Sequence, residues 1–297
     1  MKACVLGAGQ WGKAVGHLLE RNGHAVEYRH HGDRAWPAGT ELVALALPVQ
    51  HIRESLAQLP APGVPVLSLS KGLEIATGSR VTEIVGQVWG EGEYGTLSGP
   101  NFAAEIARNL PAAAVVAASR EELAEWFQQA LHQPSFRLYR STDLVGVELG
   151  GALKNVYAVA AGICAGLKLG ENAFAALVTR CLAEMTRIGV SLGGRPETFA
   201  GLSGVGDLLL TAGSIQSRNY RIGLELALGK NLETALAETG VAEGVATARS
   251  LHQMATVPAS EKPVADRIHA VLFEGLPPLR AVADLQERAP VPEHRKS

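Results

Sequence analysis

The chain has 297 residues, 47% of them hydrophobic and 19% charged, with a formal net charge of −2. This length accommodates two domains with separate cores, and the apolar fraction excludes a disordered chain. The near-neutral charge excludes a broad basic surface for nucleic acid or anionic membrane, while leaving room for a local basic pocket for a small phosphorylated ligand.

In chain order, residues 3–6 read as a short first strand ending in glycines, too brief for a signal-peptide core. A helix follows over residues 10–21, with Trp11, Val15, Leu18 and Leu19 at helical spacing and Asn22-Gly23 as its stop. The junction is Gly7-Ala8-Gly9-Gln10-Trp11-Gly12. In such a GxGxxG, Gly7 allows the tight turn, Gly9 lets backbone approach a pyrophosphate, and Gly12 lets helix and strand pack closely. Gln10 and Trp11 open the helix whose exposed N–H groups and positive dipole end hold phosphates.

Residues 25–29 read as the second strand. An acidic residue at its end would bind the ribose 2′-hydroxyl of NAD. Glu27 lies inside the strand instead, and the end reads Arg29-His30-His31, followed by Arg34. Positive groups there suit a 2′-phosphate, so NADPH is favoured over NADH.

Further strands are expected at 42–47, 65–69, 95–97, 112–117 and 136–139, with a helix at 121–131. Strands alternating with helices give a mostly parallel sheet covered on both faces. Residues 1–144 are therefore expected to form an N-terminal Rossmann-type dinucleotide-binding domain. Ser70-Lys71-Gly72 directly follows the fourth strand, and loops at the carboxyl ends of parallel strands line the ligand crevice.

From about residue 144 the pattern is helical, with segments at 147–167, 173–192, 217–228, 231–239, 245–257, 263–273 and 278–286. The expected fold class is α/β plus all-α, the all-helical C-terminal domain spanning 145–288 and a proline-rich, charged, flexible tail 289–297. The longest apolar stretch, 156–167, falls short of the roughly 20 residues of a membrane span. No membrane association is expected, and a cytoplasmic location is the default. Cys4, Cys164 and Cys181 form no CxxC pair and read as small buried hydrophobes, so no metal centre is expected.

Two places in this half carry chemistry. The small-residue helix at 146–162 holds Glu148, Lys154 and Asn155, and charge on such a helix is costly unless paired or lining a polar cleft. Lys154 is read as a buried functional ammonium, its pKa lowered by desolvation into the range of proton exchange near neutral pH. Farther on, Gly204 and Gly206 let Asp207 approach a neighbouring charge. A helix opening with Ser217-Arg218-Asn219 then combines backbone N–H groups with a guanidinium, an anion site.

These motifs together resemble the NAD(P)-dependent glycerol-3-phosphate dehydrogenases. The likeness runs through GAGQWG (7–12), SKGLE (70–74), LSGPNFAAEIA (97–107), GVELGGALKNVYAVAAGI (146–163), NAFAALVTRCLAEM (172–185), FAGLSGVGDLLLT (199–211), SRN (217–219) and VAEGV (241–245). The resemblance implies reversible reduction of dihydroxyacetone phosphate to sn-glycerol 3-phosphate for phospholipid synthesis. It makes Lys154 the proton acceptor in oxidation and donor in reduction, and gives Lys71 contact with cofactor and substrate. It places Gly99 and Asn101 at the substrate, Ala103, Val241 and Glu243 at the cofactor, and Asp207 beside Lys154. Ser217, Arg218 and Asn219 would hold the substrate phosphate, with Arg218 also reaching the cofactor. A homodimer is compatible with the family. The chain departs from the family pattern at Gln10, Asn101 and Cys181, where serine, serine and glycine are usual, and in a short segment 31–42. Two alternatives are an NADP-dependent reductase of a carboxylate substrate, resembling ketopantoate reductases, and a non-catalytic nucleotide sensor. The latter would not need Lys71, Lys154 and Asp207.

Overall fold

The structure is a computed structural model that describes residues 1–30 and 32–289. His31 and most of the expected tail, 290–297, lie outside the described residues. The first half is one sheet of β1 (Lys2–Leu6), β2 (Ala25–Arg29), β3 (Leu42–Leu45), β4 (Val66–Ser68), β5 (Tyr94–Ser98), β6 (Ala112–Ala118) and β7 (Phe136–Ser141). Their order is β2-β1-β3-β4-β5-β6-β7. Every pairing is parallel except that of β5 with β6.

Alternation along the strands sorts their side chains onto two faces. Ala3, Val5, Leu42 and Ala44 pack with α1 (Gln10–Arg21) and, farther along the sheet, α5 (Glu121–Leu131) on one side. Leu6, Val43 and Leu45 pack with α2 (Ile52–Ala57) and α3 (Val81–Trp89) on the other. Local sequence pattern does not mark α2, α3 or the five-residue α4 (Ala103–Ala107) as helices. They are short, and α3 is rich in β-branched valine and isoleucine, so local propensity does not separate them from strand or loop.

The second half is built round α6 (Leu144–Gly166), buried without interruption from Gly146 to Cys164. The Asp143 carboxylate fixes its start, accepting from Gly146 N–H at 2.9 Å and from Arg195 N–H at 2.8 Å. Around it lie α7 (Glu171–Ser191), α8 (Pro196–Phe199), α9 (Asp207–Ala212), α10 (Arg218–Ala227), α11 (Leu232–Thr239), α12 (Glu243–Gln253), α13 (Pro263–Phe273) and α14 (Pro278–Gln286). α6 is apolar and long enough to cross a membrane by composition, yet 89% of its most apolar window is buried inside the protein. Its glycines explain how neighbours come so close. A Cβ on Gly162 would lie 1.9 Å from the Tyr220 carbonyl oxygen, and one on Gly223 of α10 would lie 2.0 Å from that of Val159.

Candidate active site

The glycine motif joins β1 to α1 at the carboxyl edge of the sheet. Gly7 has φ +109° and donates its N–H to the Arg29 carbonyl at 2.9 Å, tying the turn to the end of β2. A Cβ there would meet the Ala46 carbonyl oxygen at 2.6 Å, and one on Gly12 would meet that of Gly7 at 2.0 Å. Gly9 is different: a Cβ would have nothing within 4 Å. It is exposed at the N-cap of α1, beside exposed Gln10, in open space that a pyrophosphate could fill. The half-buried Trp11 ring donates Nε1–H to the Leu69 carbonyl at 3.0 Å, joining this loop to the one that carries Lys71.

Within β2, Glu27 is engaged by Lys2 at 2.7 Å and lies 3.9 Å from Arg29, and the Lys2 hydrogen bond holds its carboxyl below the usual range. The Arg29 guanidinium also donates to the Ala35 carbonyl at 3.4 Å. His30 is exposed and anchors the next turn through its backbone N–H to Asp33 at 2.9 Å. Residues 32–41 add no strand outside β2.

The charged centre lies where this edge meets the helical half. Asp207, at the start of α9, receives Lys71 Nζ at 2.6 Å on one carboxylate oxygen and Lys154 Nζ at 2.8 Å on the other. Lys154 also donates to Thr211 Oγ at 2.7 Å, and Lys71 to the Gly99 carbonyl at 2.9 Å. The Asp207 and Lys154 side chains are only 2% and 9% exposed, so these charges act with little screening from water. Burial pushes the Lys154 ammonium down to about 8, Asp207 resisting and Lys71 reinforcing the fall. Burial acts to raise the Asp207 carboxyl, but the two ammonium groups outweigh it and hold it below its usual value. Two cations against one carboxylate leave a net positive site suited to an anion. A wide π-helical turn at Leu202–Gly206 delivers Asp207, a distortion of the kind common at functional sites.

Around this centre the structure places the other expected residues unequally. Gly99, at φ +142°, has room for no side chain: a Cβ would lie 2.9 Å from the Ala114 Cα. Both polar atoms of the Asn101 side chain are buried without a partner, as is Ser98 Oγ. A Cβ on Gly151 of α6 would lie 2.5 Å from that Ser98 Oγ and 3.4 Å from Lys71 Cγ, so Ser98 lines the same corner. Ala103 opens α4, half-buried. Ser217 caps α10, its Oγ accepting from Tyr220 N–H at 3.2 Å, with Arg218 exposed at the first helical position.

Asn219 is buried with both ends of its amide engaged, donating to Asn155 Oδ1 at 2.8 Å and accepting from Gly244 N–H at 2.8 Å. Asn155 in turn donates to the Lys71 carbonyl at 3.2 Å, completing a relay from α12 through α10 and α6 to the Lys71 loop. Glu243 accepts from Val49 N–H at 3.0 Å. Its burial raises the carboxyl to about 7 against that N–H and Arg218. Val241 stands 53% exposed.

Two contributors are not singled out by the sequence, and a third is marked there without its partners. Thr211 lies four residues after Asp207, a spacing that stacks the two on one helix face and could have been noticed. Ser98 had no local signal. Asn155 was noted for its polarity, but its partners come from elsewhere in the chain. Glu148, the other charge on α6, belongs to a different task. It accepts from Arg80 at 2.5 Å and from Thr82 N–H at 2.9 Å, pinning α3 to α6. A cavity of about 900 Å³ lies away from this centre among α6, α7, α13 and α14.

Residues 34–124 match the family described as NAD-dependent glycerol-3-phosphate dehydrogenase N-terminus, and residues 143–283 match its C-terminus. The glycerol-3-phosphate dehydrogenase [NAD(P)+] of Desulfovibrio desulfuricans is 42% identical, covering 97% of each chain. That of Leptothrix cholodnii is 45% identical over 97% of this chain and 83% of its own. Among solved structures, glycerol-3-phosphate dehydrogenase from Coxiella burnetii superposes with a TM-score of 0.87 at 32% identity, covering 97% of this chain and 99% of that one. The Plasmodium falciparum glycerol-3-phosphate dehydrogenase shares the fold, with a TM-score of 0.87 at 19% identity over 98% of this chain and 97% of its own.

Proposed function

This chain belongs to the NAD-dependent glycerol-3-phosphate dehydrogenase family, and from that premise we propose that it reversibly reduces dihydroxyacetone phosphate to sn-glycerol 3-phosphate, with NADPH preferred to NADH. It is an NAD(P)-dependent oxidoreductase acting on a CH–OH group. The observation that carries the reading is the buried Lys71–Asp207–Lys154 array, a proton donor poised near neutral pH within a net positive site.

The residues fit a dinucleotide: Gly9 leaves open space at the N-terminus of α1, and Arg29 stands at the end of β2. Gly7, Gly9, Gln10, Trp11 and Gly12 would hold the pyrophosphate end, Arg29 and His30 the 2′-phosphate, and Ala103, Val241 and Glu243 the remainder. When bound, the nicotinamide supplies or accepts the hydride. In reduction, Lys154 gives its proton to the substrate oxygen, while Lys71 and the retained charge of the site stabilise the developing alkoxide. In oxidation, neutral Lys154 takes the hydroxyl proton. Asp207 orients both ammonium groups, and Thr211 receives a second Lys154 hydrogen, which limits that lysine to one direction of transfer.

Arg218 and the N–H groups at the start of α10 would grip the substrate phosphate and hold the ketone in place, a contribution through positioning. Ser98 and Asn101, with buried polar atoms awaiting partners, suit the substrate hydroxyl. Asn219 would contribute its backbone N–H, its amide being engaged.

The reading includes a division near residues 144/145 into cofactor and substrate domains, a role in phospholipid synthesis, a cytoplasmic location and a homodimer. The test is oxidation of NADPH and, separately, NADH by purified protein with dihydroxyacetone phosphate. Turnover with a higher kcat/KM for NADPH is expected. Cofactor binding without turnover on this substrate, in folded protein, would turn the assignment to the carboxylate reductases.

A further inference from the structure

On the face of the helical half away from the charged centre, the end of α12, the body of α13 and the residue that follows it bring two histidines and two carboxylates together. The ligating atoms of His252, His269 and Glu274 all lie within 4.8 Å of one another. His269 is buried, its ring stacked on His252 with centroids 3.7 Å apart and planes 7° from parallel, and tilted against Phe273 at 5.0 Å. Glu274 Oε1 is 2.9 Å from His269 Nδ1, and Asp266 Oδ1 is 3.3 Å from His252 Nδ1. None of these residues touches the Lys71–Asp207–Lys154 array, and the reaction proposed above gives them no task.

We propose that His252, His269 and Glu274 form a binding site for one divalent transition cation of the nickel, cobalt and zinc class, stapling the end of α12 to α13. The geometry favours such a cation. Two atoms 2.9 Å apart subtend about 90° at a metal bonded to each at roughly 2.05 Å, so His269 Nδ1 and Glu274 Oε1 already form one edge of a square or octahedral site. A tetrahedral ion would need this edge to open by about 0.4 Å, which the exposed Glu274 side chain permits. Imidazole donors select against magnesium and calcium, which prefer all-oxygen sets.

Parallel rings cannot both point a nitrogen lone pair at one ion, so His252 must rotate out of the stack. It is free to do so: its side chain is 44% exposed, and its contact with Asp266 is long. With Asp266 accepting from Nδ1–H, His252 presents Nε2 to the metal, the arrangement in which an outer carboxylate fixes a ligating imidazole. At His269 the proton facing Glu274 shifts to Nε2 and Nδ1 ligates, so the ring stays neutral. Glu274 and Asp266 together neutralise a divalent charge. Of the nearby cations, Lys262 is spent on the carbonyls of Leu251, His252 and Met254, and Arg249 lies over Phe273 at 4.3 Å. Sequence spacing conceals the site because its ligands come from two helices joined by the turn at 254–262.

The test is isothermal titration of full-length, tag-free, chelator-stripped protein with NiCl2 at pH 7.5, beside H252Q and E274Q. The wild type should take up one Ni2+ per chain at this site and melt at higher temperature with Ni2+ present. H252Q, altered at an exposed side chain and so expected to fold, should lose affinity by more than about tenfold, since losing even an outer carboxylate partner of a metal ligand costs that much. E274Q should weaken binding likewise. Turnover with dihydroxyacetone phosphate should be unchanged in both variants without metal. Equal Ni2+ uptake by wild type and H252Q, or no uptake by wild type, overturns the proposal.

Discussion

Burial pushes Lys154 down to about 8 against the pull of Asp207, and under the proposed mechanism this sets the pH behaviour of the reaction. Reduction needs the ammonium, so its kcat should fall as pH rises through about 8, while oxidation, which needs the neutral amine, should rise over the same interval. Asp207→Asn removes the group that holds the proton on Lys154 and leaves Lys71 to repel it. The falling limb for reduction should therefore move to lower pH, read from kcat profiles of the two proteins. Lys154→Met should lower kcat by roughly 10²- to 10⁴-fold, with KM changing far less, because general acid catalysis is lost while the phosphate grip remains. Arg218→Ala should do the reverse, raising KM for dihydroxyacetone phosphate roughly ten- to a hundredfold with smaller change in kcat, the scale of one charge-assisted hydrogen bond. At this scale the sequence was informative: Lys71, Lys154 and Asp207 could each be singled out from a charge in an apolar or glycine-rich setting. Asn219 shows the limit. Its residue type suits a phosphate ligand, but the structure engages its amide with Asn155 and Gly244, a pairing that no local pattern encodes.

The glycine motif and α6 show what elements demand of single positions. Gly9→Ala should leave the melting temperature unchanged, since the backbone there has φ −69° and the methyl would meet nothing within 4 Å. It should nevertheless raise KM for the cofactor, because the methyl occupies the space beside the helix N-terminus. Gly162→Ala should instead destabilise the fold by about 1–3 kcal/mol or more in urea titration, as its Cβ would collide with the Tyr220 carbonyl and force α6 from α10. Glu184 ties two other helices: it accepts N–H groups of Val264 and Ala265 at the start of α13, both at 2.9 Å, and burial raises its carboxyl to about 7. A carboxyl raised on folding contributes stability that is complete below its unfolded value and lost as pH rises through its folded one. Stability should therefore decline between about pH 4.5 and 7 by an amount on the order of 3 kcal/mol, and Glu184→Gln should flatten that decline. The seven strands and the long helices were legible from alternation, apolar spacing and glycine stops. The short α2, α3, α4, α8 and α9 were not, because each is held by packing rather than by its own propensity.

Across the whole molecule the charged centre exists only when the two halves are docked: Lys71 and Gly99 come from the sheet, Lys154, Asp207 and Thr211 from the helices. Val49 N–H to Glu243 at 3.0 Å and Ser250 Oγ to the Glu74 carbonyl at 3.0 Å cross the same junction. A cofactor held by residues of both halves should stabilise both together. NADPH at a hundredfold excess over its Kd should raise the unfolding free energy by about 2.7 kcal/mol in a single shifted transition. Two transitions, of which only one shifts, would mean that one half binds the cofactor alone.

By itself the sequence determined the class of fold, the glycine-rich turn after the first strand and the identities of the residues that carry charge into apolar surroundings. Those are properties of short windows, where backbone sterics and hydrophobic periodicity act between near neighbours. Tertiary structure alone decided which charges meet. Asp207 joins residues 136 and 53 positions away, Asn155 links α10 to the Lys71 loop, and Glu148 turns to Arg80 rather than to the substrate. Electrostatic pairing depends on distance in space, and that distance is set only when the packed elements bring remote parts of the chain together.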